Sequence, residues 1–195
     1  LLKNNCIDVG VFEMARGGLI EYGTIIDELS IGVMLNVYDN HTGIDGVSSR
    51  EDMAKAKKMV TNIAKDFVIL NADDSLCLME KNEFPPKKVC LVSIKEKNPF
   101  ILEHLMAGGV VSVLDKSDIK LYADGELVGS TSIADIPASW GGKFLSPVIN
   151  ALFASAIAYA LGVLEGAHVQ KHMLDFFKVF VDRVWMSRFD FYGEI

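Results

Sequence analysis

The chain of 195 residues is 50% hydrophobic and 23% charged, with 19 basic against 26 acidic residues and a net charge of −7. That apolar share, with a mean hydropathy of +0.27, excludes a disordered or fibrous chain and supplies core for one domain, or one domain plus a fragment of a second. The acidic balance repels phosphate backbones and argues against a nucleic-acid or anionic-membrane surface. Three widely spaced cysteines (Cys6, Cys77, Cys90) form no disulfide or zinc pattern, so a reducing cytoplasm is expected.

The chain begins at Leu1 and opens almost at once on a strand-like run, as a piece of a longer protein would. Four short β-branched runs, at 6–12, 31–37, 67–71 and 88–94, read as strands buried on both faces. Between the second and third, Met53, Ala56, Val60 and Ile63 recur at helical spacing, and Ser49 with Asp52 makes a capping-box-like start. A further helix is expected near Asp74, capped by Asp73 or Asp74. This alternation predicts an α/β fold with a Rossmann-like, mostly parallel sheet flanked by helices.

After residue 108 the texture changes. Short strands with turns at 115–117 and at Asp124-Gly125 predict a small antiparallel section near 110–136. Two helices are expected next, at about 146–162 and 168–179, with a break at Gly162. The 21 residues from Phe144 to Leu164 carry no formal charge and are long enough to span a bilayer. Asn150 and the many alanines favour a buried core helix instead. Residues 1–181 are read as one domain, and 182–195 as a hinge and the start of another.

Ligands of open α/β sheets bind beyond the carboxyl ends of the strands. The first run ends at Glu13 and Arg16-Gly17-Gly18, the second at Asn36 with Asp39, Asn40 and His41, and the third at Asn71 with Asp73 and Asp74. Singly, each has a bland reading as a solvated strand end, a surface loop residue or a helix cap. Together they bring carboxylate, amide and imidazole groups to one edge.

The segments FEMARGGLIEYG, IGVMLNVYDNHTGIDG, MAKAKKMV, VILNADD and SWGGKFLSPVINALFASAIAYALGV, in this order, resemble the central ATP-binding domain of the Mur ligase family. The likeness runs over about residues 6–189 and is greatest to the Mur-ligase-like half of cyanophycin synthetases. The resemblance implies that Glu13 and His41 are ligands of a catalytic magnesium ion, which takes hard oxygen donors and tolerates an imidazole. It implies that Lys57 stands where the family helix carries a lysine that can be carbamylated, with Lys55 and Lys58 as alternatives. Asn71 and Asn150 resemble positions near the nucleotide base, and Asn36 is placed with them. Arg188 resembles the hinge arginine that reaches toward the phosphates, and Arg16 would orient an anionic substrate.

The implied cofactors are ATP and magnesium. The implied chemistry is amide ligation through an acyl phosphate, with arginine added to the side chains of an aspartate polymer. A homo-oligomer of the full-length protein is expected, with neither nucleic acid nor membrane as partner. No Gly-x-x-x-x-Gly-Lys-Ser/Thr loop occurs in these residues, and the family carries one upstream of the region matching Leu1. The chain alone is therefore expected to bind ATP poorly and to catalyse nothing. Ser146-Pro147 stands where peptidoglycan-type members have His-Asn, which favours the cyanophycin branch, and Asn40 replaces an aspartate beside His41. Another Mur-type amino acid ligase and a non-catalytic Mur-like module are the alternatives.

Overall fold

The structure, a computed structural model, describes residues 9–38 and 47–164. Among the described residues six strands form one sheet: β1 (Leu29–Met34), β2 (Ala64–Asn71), β3 (Val89–Ser93), β4 (Val110–Asp115), β5 (Asp118–Ala123) and β6 (Glu126–Ser132). They lie in sequence order across the sheet. Neighbours are parallel from β1 to β4 and antiparallel from β4 to β6. The mostly parallel sheet and its antiparallel section are those the sequence predicts.

The parallel strands read as unbroken apolar runs because alternate residues face two cores. Val68, Leu70, Leu91 and Val111 point to one face, where α2 (Arg50–Asn62), α3 (Ser75–Met79) and α4 (Pro99–Met106) contribute Met53, Cys77, Leu78 and Ile101. Phe67, Ile69, Val92, Ile119 and Leu121 point to the other, against Ala151, Leu152, Phe153 and Ala156 of α5 (Leu145–Leu164). Right-handed connections in a sheet that grows one way put all the crossover helices on one side. Among the described residues the opposite side is covered by α5, with Ile133 and Ile136 beside it.

That division explains the long uncharged segment. α5 is long and apolar enough to cross a membrane, yet it packs on the sheet, as the core-helix reading expects. Small alanines bring its backbone close enough for a buried side-chain cluster: the Ser112 hydroxyl lies 2.8 Å from that of Ser155 and donates to the Leu152 carbonyl at 3.0 Å. The helix runs through Gly162 without the expected break, since one missing side chain lowers helix propensity without ending a packed helix. The second helix at 168–179 and the boundary at 181–182 lie outside the described residues.

Residues 9–12 form no strand: Val11 is 62% exposed and Phe12 44%, and neither joins the ladder of β1. A short apolar run does not by itself specify a strand. The run is followed by a short helix, α1 (Arg16–Tyr22), which the sequence reading missed. Ser49 does cap α2, accepting from the Asp52 N–H at 3.1 Å, but Asp52 reaches Ser48 rather than closing a box on Ser49. Both antiparallel turns use left-handed backbone, at Lys116 and at Asp124-Gly125, which matches the twist that tight hairpins require.

Candidate functional site

β1, β2 and β3 end on one edge of the sheet, and the segments beyond them enclose a cavity of about 690 Å³. Asn36, Tyr38, Arg50, Asn71, Asp73 and Asp74 are among its described polar and aromatic wall; Ile149, Leu152 and Phe153 of α5 supply an apolar side. A concave site at strand ends, mostly apolar with a few convergent polar groups, is the usual form of a small-molecule pocket.

The wall after β1 is held in an unusual way. Past Met34 the chain leaves the sheet, and three successive carbonyls pass to side chains. Asn71 Nδ2 donates to Leu35 O at 2.8 Å, Lys57 Nζ to Asn36 O at 2.6 Å, and Arg50 Nε to Val37 O at 3.0 Å. The Val37 N–H donates to Asp74 Oδ2 at 2.7 Å, and the Arg50 guanidinium stands 3.6 Å from the same oxygen. Val37 is fully buried, so both of its backbone polar groups need partners. An Arg–Asp pair supplies them.

Both aspartates after Asn71 are occupied. Asp74 Oδ1 accepts from the N–H groups of Leu76 and Cys77, making Asp74 the cap of α3. Asp73 accepts from Ser93 Oγ at 2.9 Å, the Ile94 N–H at 2.8 Å and Asn98 Nδ2 at 3.2 Å, tying the end of β2 to the end of β3. The sequence leaves the cap open between the two; in the structure Asp73 is a bridge between strands.

Lys57 lies half-buried beneath this wall. Burial pushes its ammonium below the usual lysine range, opposed by the Asp74 carboxylate nearby. The Cys77 thiol is pushed up to about 12, first by burial and then by Asp74. It is a neutral packing group at physiological pH.

Of the residues singled out from the sequence, Asn36 and Asn71 line the cavity, and Lys57 holds Asn36 from behind. Asn150 is exposed on α5, one position after Ile149 of the cavity wall. Glu13 is exposed ahead of α1 and Arg16 opens that helix; neither is among the described lining residues of the cavity. His41 and Arg188 lie outside the described residues. Among the described residues no three His, Cys, Asp or Glu side chains gather to hold a metal ion. The four carboxylate oxygens nearest the cavity are already taken by N–H and O–H donors. With Tyr38 and Ser93, Arg50 is among the lining residues that the sequence reading missed. Its acceptor is a backbone carbonyl, which leaves no residue-type signal.

A sheet of this topology, with its cavity beyond the carboxyl ends of the parallel strands, belongs to the ligand-binding α/β class. The sequence pattern of the Mur ligase middle domain matches residues 1–158, and the chain belongs to that family of ATP-dependent ligases. It is 30% identical over 168 residues to the cyanophycin synthetase of Geminocystis herdmanii, a stretch covering 84% of this chain and 19% of that protein. The cyanophycin synthetase of Synechocystis sp. is 28% identical over 165 residues, and that of Nostoc sp. 26% over 167, with 84% of this chain covered in each and 19% and 18% of the relative. The chain thus spans less than a fifth of the length of these relatives.

Proposed function

We propose that this chain is the nucleotide-binding middle domain of an ATP-dependent acid–amino-acid ligase of the cyanophycin synthetase kind, which joins arginine to the side chains of an aspartate polymer in the cytoplasm. The observation that carries the reading is the cavity at the ends of β1–β3 in a Mur ligase middle domain. The Asn36 and Asn71 amides place hydrogen-bonding groups on the wall beside a base, Asn71 already holding the Leu35 carbonyl and the Asp73 N–H. Ile149, Leu152 and Phe153 offer the apolar surface against which a purine packs.

In that chemistry a substrate carboxylate oxygen attacks the γ-phosphorus of ATP, the bond to the bridging oxygen breaks, and ADP leaves. The arginine amine then attacks the acyl carbon, loses a proton, and expels inorganic phosphate. Magnesium would neutralise the phosphates when bound, and Glu13 offers the kind of oxygen it takes. The described residues contribute binding and orientation: the fastened wall after β1 sets where the nucleotide lies, and α5 closes the apolar side.

The test is ADP and phosphate release by the full-length protein with ATP, arginine and an aspartate polymer. Release that requires all three supports the reading. Release with a different amino acid in place of arginine points to another Mur-type ligase. A folded protein that neither binds nor cleaves ATP overturns the reading and leaves the non-catalytic module.

A further inference from the structure

Arg50 meets the cavity with one edge of its guanidinium already engaged. Nε donates to the Val37 carbonyl at 3.0 Å, and a terminal nitrogen stands 3.6 Å from Asp74 Oδ2, an ion-pair distance too long for a hydrogen bond. The side chain is 42% exposed and lines the cavity. We propose that Arg50 binds an oxyanion, with its two terminal nitrogens as a fork for a phosphate of the nucleotide or the carboxylate of an acidic substrate. The proposal rests on reading this cavity as the site of a ligase that handles both groups.

The geometry sorts the donors of this side chain. A guanidinium is planar and rigid, so a bond at Nε fixes the direction in which the terminal nitrogens point. Side-on pairing would need Nε, which the Val37 carbonyl holds. End-on pairing through the two terminal nitrogens is the bidentate mode left for a ligand. Asp74 does not use up that edge. Its Oδ1 accepts from the N–H groups of Leu76 and Cys77, and its Oδ2 from that of Val37 at 2.7 Å, so it meets Arg50 by charge alone.

Charge and order both favour an anion at this place. Among the described lining residues Arg50 is the one cation, beside the carboxylates of Asp73 and Asp74. An arginine on an open surface must be ordered when it captures a ligand, at a cost in side-chain entropy. Arg50 is ordered beforehand by its bond to Val37. The bound oxyanion and the wall after β1 would then be joined through a single rigid group.

The experiment compares Arg50→Gln and Arg50→Lys with the parent in the full-length protein. Arg50→Gln keeps an N–H donor for the Val37 carbonyl and removes the charge; Arg50→Lys keeps the charge and removes the fork. Calorimetry gives Kd for ATP and for adenosine, and kinetics give KM for an aspartate polymer. A phosphate at the fork predicts that Arg50→Gln weakens ATP by about 10- to 100-fold and adenosine by less than about twofold. A substrate carboxylate there predicts the same loss in KM for the polymer, with the Kd for ATP unchanged. Arg50→Lys should fall between the parent and Arg50→Gln, and it decides by a smaller loss if Arg50→Gln does not fold. Equal losses for ATP and adenosine would mark a collapsed wall, and no loss in any of the three an idle side chain; either overturns the proposal. A protein that neither binds nor cleaves ATP overturns the nucleotide reading separately. Arg50 is then judged by Tm, with sodium tripolyphosphate or the aspartate polymer as probe. One of the two should raise the Tm of the parent more than that of Arg50→Gln; equal shifts with both, or none, overturn the proposal.

Discussion

The two ends of the sheet solve the same problem by different means. From β4 to β6 the strands are paired along antiparallel ladders, and tight turns return the chain at Lys116-Ser117 and Asp124-Gly125. At the carboxyl ends of β1–β3 the ladder stops, and side chains from α2, from β2 and from the start of α3 take over the backbone groups of Leu35, Asn36 and Val37. A ladder is indifferent to most side-chain identities. A side-chain grip depends on each residue that makes it, and it frees the wall from the geometry of a strand. The parallel end can therefore form a site, and the antiparallel end serves as scaffold.

Substitutions sharpen this contrast. Leu152 belongs to both regions: it lines the cavity and its carbonyl receives the buried Ser112 hydroxyl. Leu152→Ala should destabilise by about 2–5 kcal/mol in urea denaturation, the cost of a core cavity. A change within error would mean that α5 is not core. Asp74→Ala removes the Val37 contact, the cap of α3 and the partner of Arg50 together, and should cost about 2–4 kcal/mol. Ser130→Ala, on the exposed part of β6, should stay within about 0.5 kcal/mol. Equal losses for Asp74 and Ser130 would erase the distinction between grip and ladder.

A smaller effect tests the underside of the sheet. His104 is buried, its Nε2 lies 2.9 Å from the Val89 carbonyl, and a side chain at Gly109 would strike its ring at 2.1 Å. Burial pushes its imidazolium below the usual histidine range, helped by Lys81 and opposed by the Val89 contact and Glu103. The unfolded chain then binds more protons than the folded one as the pH drops. Stability is fully present above about 6.5 and falls as the pH drops through the lowered folded value. Tm measured from pH 7.5 down to 5 should decline, and His104→Gln should flatten the decline. An unchanged slope in that variant would assign the loss to other groups.

Much of this was legible in the residue order. The β-branched runs located β1, β2 and β3, the Asp-Gly turn located a hairpin, and Asn-Ala-Asp-Asp marked the cap of α3. Asn36 and Asn71 reached the same cavity because strand ends converge in any sheet of this kind. The grip was not legible. Lys57 and Arg50 meet carbonyls 21 and 13 residues away, and a carbonyl is common to all residues, so its choice of partner leaves no trace in composition or period. Residues 9–12 misled for a related reason: an apolar run announces burial, and its pairing is decided by what lies beside it.

The strictly sequential strand order also governs how the domain comes off the ribosome. Each strand pairs with the one made just before it, so the sheet can be laid down as synthesis proceeds, with its crossover helices packed at once on one side. The other side, with Phe67, Ile69, Val92 and Leu121, waits bare until the last turns of α5 are made. During that interval it is the surface most prone to stick to other chains. A slowed or truncated translation after residue 140 would leave the six described strands with that apolar face open to other chains.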